Sequence, residues 1–267
     1  MTLPRPPIAI AIDFGLSCVL LDDGEVRCAG INLHGRDRCW PDPSQELVRV
    51  ELPAPADRIA VSGGAACARL RDGRVVCWGR VDNVRTLSLP CDPQVVSMPG
   101  GSAFGGAARL EVGAALDGKG LLFLWDPTGQ PPVARPRPEL GRLVDLAARH
   151  DSVLAVGRDG EIHEVEGEGI ALGAVERLRC SAFGPCAAVT RDGVHQVDPP
   201  LRGLLDHRPD ELEVGHGGGC VRTGEAIQCW GNARPYGRDA DRDLTPQSVR
   251  LPPDASRGLG SPSPAGG

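Results

Sequence analysis

Ten cysteines in a chain of 267 residues are the side chains whose spacing most clearly points to chemistry. Cys18 and Cys28 stand ten residues apart, as do Cys67 and Cys77, while Cys220 and Cys229 stand nine apart. Each pair brackets a tight turn between two short apolar runs. A three-residue loop centred on Asp23 or Asp72 sets the first two pairs directly opposite each other across a hairpin. A two-residue loop, Gly224-Glu225, does the same for the third, so the spacing changes and the pairing survives. Counted outward from the loop, the cysteines fall on a non-hydrogen-bonded pair, where Cα atoms approach to about 4.5 Å. That separation lies within disulfide range. The expected chemistry is oxidation to three intra-hairpin disulfides. Of the remaining four, Cys180 and Cys186 could close a small loop, and Cys39 and Cys91 could join equivalent loops of two repeats. Sequence leaves that connectivity open.

Other reactive patterns carry less. His216-Gly217-Gly218-Gly219 has the look of an esterase oxyanion segment, but no Gly-x-Ser-x-Gly elbow occurs in the chain. It aligns with Ser62-Gly63-Gly64-Ala65 and reads as a strand-entry turn. Asp239, Asp241 and Asp243 alternate as in a calcium loop, yet no turn glycine and no distal Glu follow at loop spacing. Cys28, His34 and Cys39 fall short of the four ligands that structural zinc takes, and Cys28 is already matched to Cys18. Trp78 and Trp230, each directly after a cysteine, read as packing residues. No catalytic residue, metal or cofactor is expected.

The elements that must position the cysteines repeat along the chain. Residues 15–30, 64–79 and 217–231 are three strong copies of one hairpin unit, and fainter copies run through Ala115–Phe123, Val153–Ile162 and Cys186–Val194. Asp-Gly between β-rich runs is a strong short-range hairpin signal, because glycine supplies the positive φ. Aligned on the turn glycine, the copies fall at Gly24, Gly73, Gly118, Gly160, Gly193 and Gly224, with spacings of 49, 45, 42, 33 and 31 residues. Four-stranded propeller blades take about 40–45 residues, so the first three are full length and the last two are abbreviated. One hairpin cannot bury its own faces, so the copies must stack on one another.

The pattern Gly-x-x-Cys-x-x-Leu-x-Asp-Gly-x-Val-x-Cys-Trp-Gly, clearest at 64–79, resembles the regulator-of-chromosome-condensation propeller repeat in its bacterial secreted form. Gly30-Ile31-Asn32 and Gly231-Asn232, the latter leading to Thr245-Pro246-Gln247-Ser248-Val249, resemble a second family element. The resemblance covers residues 8–252. It implies an all-β fold, a closed β-propeller of a family usually seven-bladed and used for binding. Six copies are visible in this chain. Pro246–Pro252 repeats the segments before copies two and three, Glu46–Pro53 and Pro93–Pro99, and no hairpin follows it. The C-terminal strand is therefore expected to close the ring by pairing with the first blade, whose hairpin region begins at Ile8. Residues 1–252 are expected to form a single propeller domain and residues 253–267 a disordered tail, rich in Gly, Ser and Pro.

Composition narrows the function. A net charge of −6 with a sequence pI near 5.5 gives no basic footprint for a phosphate backbone, so nucleic acid is not expected as a partner. No 18-residue apolar run is present to span a membrane. Arginine outnumbers lysine so far that Lys119 is the sole lysine, which reads as the mark of a GC-rich genome. Paired cysteines point to an oxidising compartment, extracellular or periplasmic, although Met1–Pro7 lacks the apolar stretch of a signal peptide.

The loops after each Trp-Gly or Ala-Gly lie at equivalent blade positions and are expected on one face. They carry Trp40, Arg80, Arg85, Arg234 and Tyr236, residue types enriched at interface hot spots. The expected function is a monomeric, non-enzymatic protein-binding module. The alternatives are a hydrolase or lyase with carboxylates in the central channel, and a structural domain of a larger surface protein. Channel-facing acids would favour the enzyme; a channel of glycine and apolar strands would not.

Overall fold

The computed structural model describes residues 3–13, 16–30, 47–62, 64–79, 92–126, 131–149, 152–165, 170, 172–181, 185–197, 202–215, 218–224, 226–231 and 247–249. These form six antiparallel sheets, arranged as the blades of a β-propeller. Blade 1 contains β1 (Pro7–Asp13), β2 (Leu16–Leu21), β3 (Val26–Gly30) and β4 (Val48–Val50). Blade 2 contains β5 (Ala56–Ser62), β6 (Ala65–Leu70), β7 (Val75–Gly79) and β8 (Gln94–Val95). Blade 3 follows with β9 (Ala107–Glu111), β10 (Ala114–Asp117), β11 (Leu122–Leu124) and β12 (Arg135–Pro136). Blade 4 has β13 (Leu143–Ala148), β14 (Val153–Gly157) and β15 (Ile162–Glu164). Its fourth strand shrinks to one bridge, Ile162 to Ile170, in keeping with the short repeat there. Blade 5 comprises β16 (Arg177–Cys180), β17 (Cys186–Thr190), β18 (Gly193–Gln196) and β19 (Arg202–Leu205). Blade 6 comprises β20 (Glu211–Gly215), β21 (Gly218–Thr223), β22 (Ala226–Gly231) and β23 (Gln247–Val249).

The turn chemistry recurs with one correction. Gly24, Gly73 and Gly160 hold φ between 81° and 92°, and the aspartate before each caps the amide after it. Asp23, Asp72 and Asp159 accept from Glu25, Arg74 and Glu161 at 2.9, 3.1 and 3.1 Å. In the third copy the left-handed glycine is Gly120, at φ 83°, two residues beyond the Gly118 expected from the Asp-Gly dipeptide. Asp117 still caps the equivalent amide, Leu121, at 2.9 Å, by reaching from further back.

These turns also join blades. The carbonyls of Gly24, Gly73, Gly120 and Gly160 accept from Ala56, Gly106, Leu143 and Val175 at 2.9, 3.2, 2.9 and 3.1 Å. Each acceptor belongs to one blade and each donor lies at the start of the next. A Cβ on Gly24 would stand 2.6 Å from Pro55 Cβ and 2.8 Å from the Ala56 carbonyl, so the close approach requires glycine for its size as well as its φ.

Five apolar clusters fill the five seams between consecutive blades. Leu20, Cys28 and Val26 of blade 1 meet Ala66, Val76 and Trp78 of blade 2. Cys67 and Val75 meet Phe123 and Leu110 in the next seam, and the third, fourth and fifth follow around the ring. Alanines at the sheet centres, such as Ala66, Ala68, Ala115 and Ala188, are fully buried and let the sheets pack closely. No sixth cluster joins blade 6 to blade 1 among the described residues.

The expected closure does not occur. β23 pairs with β22, with Cys229 opposite Gln247 and Ile227 opposite Val249, so it completes blade 6 and not blade 1. Blade 1 takes its outer strand from its own repeat, since β4 pairs with β3. The likeness of 246–252 to the segments before copies two and three is real, because β4, β8 and β23 are all outer strands. An outer strand completes the hairpin that precedes it. Among the described residues no blade covers the flank of β1, where Ile8, Ile10 and Ile12 are 57, 62 and 65% exposed.

Candidate functional site: the charged central cavity

The six innermost strands, β1, β5, β9, β13, β16 and β20, converge on a cavity of ≈ 200 Å³. Strand pairing places Ala11, Ala60, Glu111, Ala147, Arg179 and Glu213 at one level, each opposite the corresponding residue of the second strand. Alanine on three blades leaves room for the long side chains of the other three. The wall therefore mixes Ile10, Ile12, Val61 and Val214 with Asp13, Arg58, Arg109, Glu111, Asp145, Arg179 and Glu213. It is not the glycine and apolar channel that would speak against an enzyme.

Asp145 organises one side. It is buried, at 2% exposure, and its Oδ2 accepts from the Leu178 amide at 3.0 Å. Arg109 Nε lies 3.3 Å from Oδ1 and Arg179 Nη1 3.5 Å from Oδ2. One carboxylate thus neutralises part of two guanidinium groups. Ser181 Oγ donates to Asp13 Oδ1 at 3.1 Å, tying blade 5 to blade 1. Arg69 forks onto Asp57, with Nε to Oδ1 at 2.7 Å and Nη2 to Oδ2 at 3.0 Å. Arg58, the neighbour of Asp57, has no ion-pair partner among the described residues, and its Nε is buried without a hydrogen bond.

The cavity perturbs its acids. Glu111 is pushed up to about 8 by desolvation, opposed by Arg179 and reinforced by the charges of Asp145, Glu213 and Asp13. Its side chain keeps some surface open to the cavity, yet it sits deep in the protein mass, and the second fact governs its hydration. Glu213 is raised by desolvation, against Arg179. Desolvation lowers the Arg58 pKa, and the positive charges of Arg69 and Arg109 lower it further.

The cysteines occupy the second and third strands. Cys18–Cys28, Cys67–Cys77 and Cys220–Cys229 are disulfides between directly opposed residues, with Cα atoms 4.1 Å apart in each. Cys180–Cys186 forms a fourth, between the first and second strands of blade 5. Cys28 is therefore not available to zinc. Cys39 and Cys91, the expected partner residues Trp40, Arg80, Arg85, Arg234 and Tyr236, and Asp239, Asp241 and Asp243 lie outside the described residues. Trp78 and Trp230 are buried in seams. Asp159, Glu161 and His163 bring ligand atoms within 4.8 Å of one another on the exposed β14–β15 turn, where Asp159 is already the turn cap.

With the fold and cavity in view, solved structures of the same architecture stand out. Prp20p from Saccharomyces cerevisiae aligns with a TM-score of 0.67 at 15% identity, over 92% of this chain and 77% of that one. Yeast RCC1 (Prp20) in complex with Kap60 gives 0.65 at 14%, over 92% and 75%. The CRINKLY WD40 ectodomain of the Arabidopsis thaliana receptor kinase ACR4 gives 0.52 at 14%, over 86% and 82%. The chain has an RCC1-like propeller fold. No protein-family model and no curated protein matches it. At these identities the likeness is one of fold.

Sequence reasoning missed the cavity residues. Glu111, Arg179 and Glu213 sit in first strands, outside the cysteine-and-turn motif, although Leu110–Gly113 and Leu212–Gly215 share the sequence Leu-Glu-Val-Gly. That repeated tetrapeptide was the available signal for Glu111 and Glu213. No fixed spacing reveals Arg179, because the three stand 3, 8 and 7 residues before the second-strand residues Ala114, Ala187 and Cys220 that they pair with, in the order Glu111, Arg179, Glu213.

Proposed function

We propose that this protein is a non-enzymatic binding module, a disulfide-stapled β-propeller that holds a protein partner in an extracellular or periplasmic compartment. The observation that carries the reading is the set of four disulfides at short hairpin separations on a scaffold of the RCC1-like type. Disulfides persist where the surroundings oxidise. Similar scaffolds support the partner class: Prp20p has binding properties toward Gsp1p and histones, and yeast RCC1 binds Kap60. A net charge of −6 argues for protein and against nucleic acid as the partner here.

We assign the partner face to Trp40, Arg80, Arg85, Arg234 and Tyr236, which follow the Ala-Gly or Trp-Gly of three repeats in the sequence. Replacing Trp40 and Tyr236 by alanine is expected to weaken partner binding by about 2 kcal/mol or more each if both are anchors. Crosslinking and pull-down from the source organism measure this. Equal recovery of the same partners by the double variant would refute the face, and a collapsed melting point would assign both aromatics to packing.

A second reading, a hydrolase or lyase, draws on the acids in the cavity. Asp145 is held by two arginines, so acid–base work would fall to Glu111 and Glu213. The reading predicts turnover that Glu111→Gln abolishes while the fold persists.

A further inference from the structure

The arginines of the central region outnumber the acids committed to them. Asp57 is taken by the fork of Arg69, and Asp145 is shared by Arg109 and Arg179. Arg58 lines the same cavity and has no acid of its own among the described residues. Its Nε is shut away from solvent with no hydrogen-bond acceptor. A buried donor on a charged group left without an acceptor costs more than an ordinary missing hydrogen bond, and guanidinium groups match carboxylates through paired N–H bonds. We infer that the central cavity is a carboxylate-binding site centred on Arg58, taking either a small organic acid or an acidic side chain of a bound protein.

The surroundings fit this ligand. The ionic neighbours that act on Arg58 are Arg69, Arg109 and Arg179, against Asp57 alone, so the local field favours an incoming anion. Ile10, Ile12 and Val61 on the wall suit the methylene chain behind a carboxylate. A volume of ≈ 200 Å³ admits a short dicarboxylate or one Glu side chain. Glu111, facing Arg179, Asp145, Glu213 and Asp13, is protonated at neutral pH and adds no negative charge there. Above about 8 it ionises, placing an anion on the same wall. Carboxylate binding should then weaken as pH rises through that value. The site deepens the partner-binding reading without requiring it, because a free acid can occupy the cavity when no protein does.

The test is titration of the intact oxidised protein, followed by amide NMR and calorimetry. Glutarate and the peptide acetyl-Gly-Gly-Glu-Gly-Gly-amide are the carboxylate probes, with glutaramide and butylamine as neutral and cationic counterparts. Saturable binding of glutarate, with shifts at Arg58 and Arg179, is expected and is not reproduced by glutaramide. Arg58→Gln should weaken it at least tenfold, and Arg58→Lys should restore part. Glu111→Gln should remove the loss of affinity above pH 8. Binding of glutarate alone identifies a free acid as the source, and binding of the peptide identifies a protein side chain. No saturable binding of either probe overturns the site. So does equal affinity in a folded Arg58→Gln protein, or a preference for butylamine. A failure of the partner pull-down with glutarate binding intact would overturn the protein-partner reading and leave this site standing.

Discussion

Two flanks of the same kind of sheet have opposite fates in this molecule. In blades 3, 4, 5 and 6 the seam position of the first strand is Leu110, Leu146, Leu178 and Leu212, exposed by 6, 1, 0 and 4%. In blade 1 the equivalent residue is Ile10, at 62%, opposite Val19 in the register that sets Leu146 opposite Ala155. The residue type and the pairing are alike. The difference is that four blades have a neighbour on that side and blade 1 has none among the described residues. The sixth blade completes the contrast, because Cys220 is exposed where Cys18 and Cys67 are fully buried. Burial in a stacked-repeat fold belongs to the seam between units, not to the unit.

That contrast can be broken most forcefully at a covered seam. Leu146→Ala should cost about 2–5 kcal/mol, the range for deleting a buried leucine side chain and leaving a cavity. Ile10→Ala should cost far less. Equal losses by urea unfolding would mean that the flank of blade 1 is covered in solution. The disulfides offer the next largest test. Replacing Cys67 and Cys77 together by serine should cost about 2–4 kcal/mol. Under graded dithiothreitol, mass mapping should find Cys220–Cys229 reduced before Cys67–Cys77, since thiolate attack requires access. Simultaneous reduction would mean that blade 6 is as well covered as blade 2.

The turn glycines sharpen the same comparison at smaller scale. Gly24→Ala meets positive φ and the backbone of the next blade and should cost about 1–3 kcal/mol. Gly73→Ala keeps the φ cost, but its nearest contact is 3.8 Å away, so it should lose less. A reversed order would show that these turns do not set the blade spacing. Smallest of all, Ile12→Thr on the uncovered flank should change stability by about 0.5 kcal/mol or less and reduce binding of a hydrophobic dye.

The hairpins were legible because their information is local. A cysteine pair and an Asp-Gly turn fix strand, register and crosslink within a dozen residues, as with Cys18–Cys28. Where the rule was followed by other means, the reading slipped: Asp117 caps across Gly118, so the true turn glycine is Gly120. The place of β23 was misread for a different reason. An outer strand lies between two hairpins in sequence, and its own residues do not say which one it completes. The cavity was least legible, because Arg58, Asp145 and Glu213 come together only through the ring. Their charges read singly as solvated surface.

Every described sheet is made of strands consecutive in the chain. No described strand is lent from one end of the molecule to the other. The propeller is therefore a string of self-contained cells, the first five joined in turn by four turn carbonyls and consecutive cells by five apolar seams. Adding or deleting one whole cell would leave the hydrogen-bond ladders of all the others unbroken. A propeller sealed by a shared strand would have to rethread its closing blade to change size. This architecture can alter its blade count by tandem duplication alone, at the cost of only the two seams that flank the change.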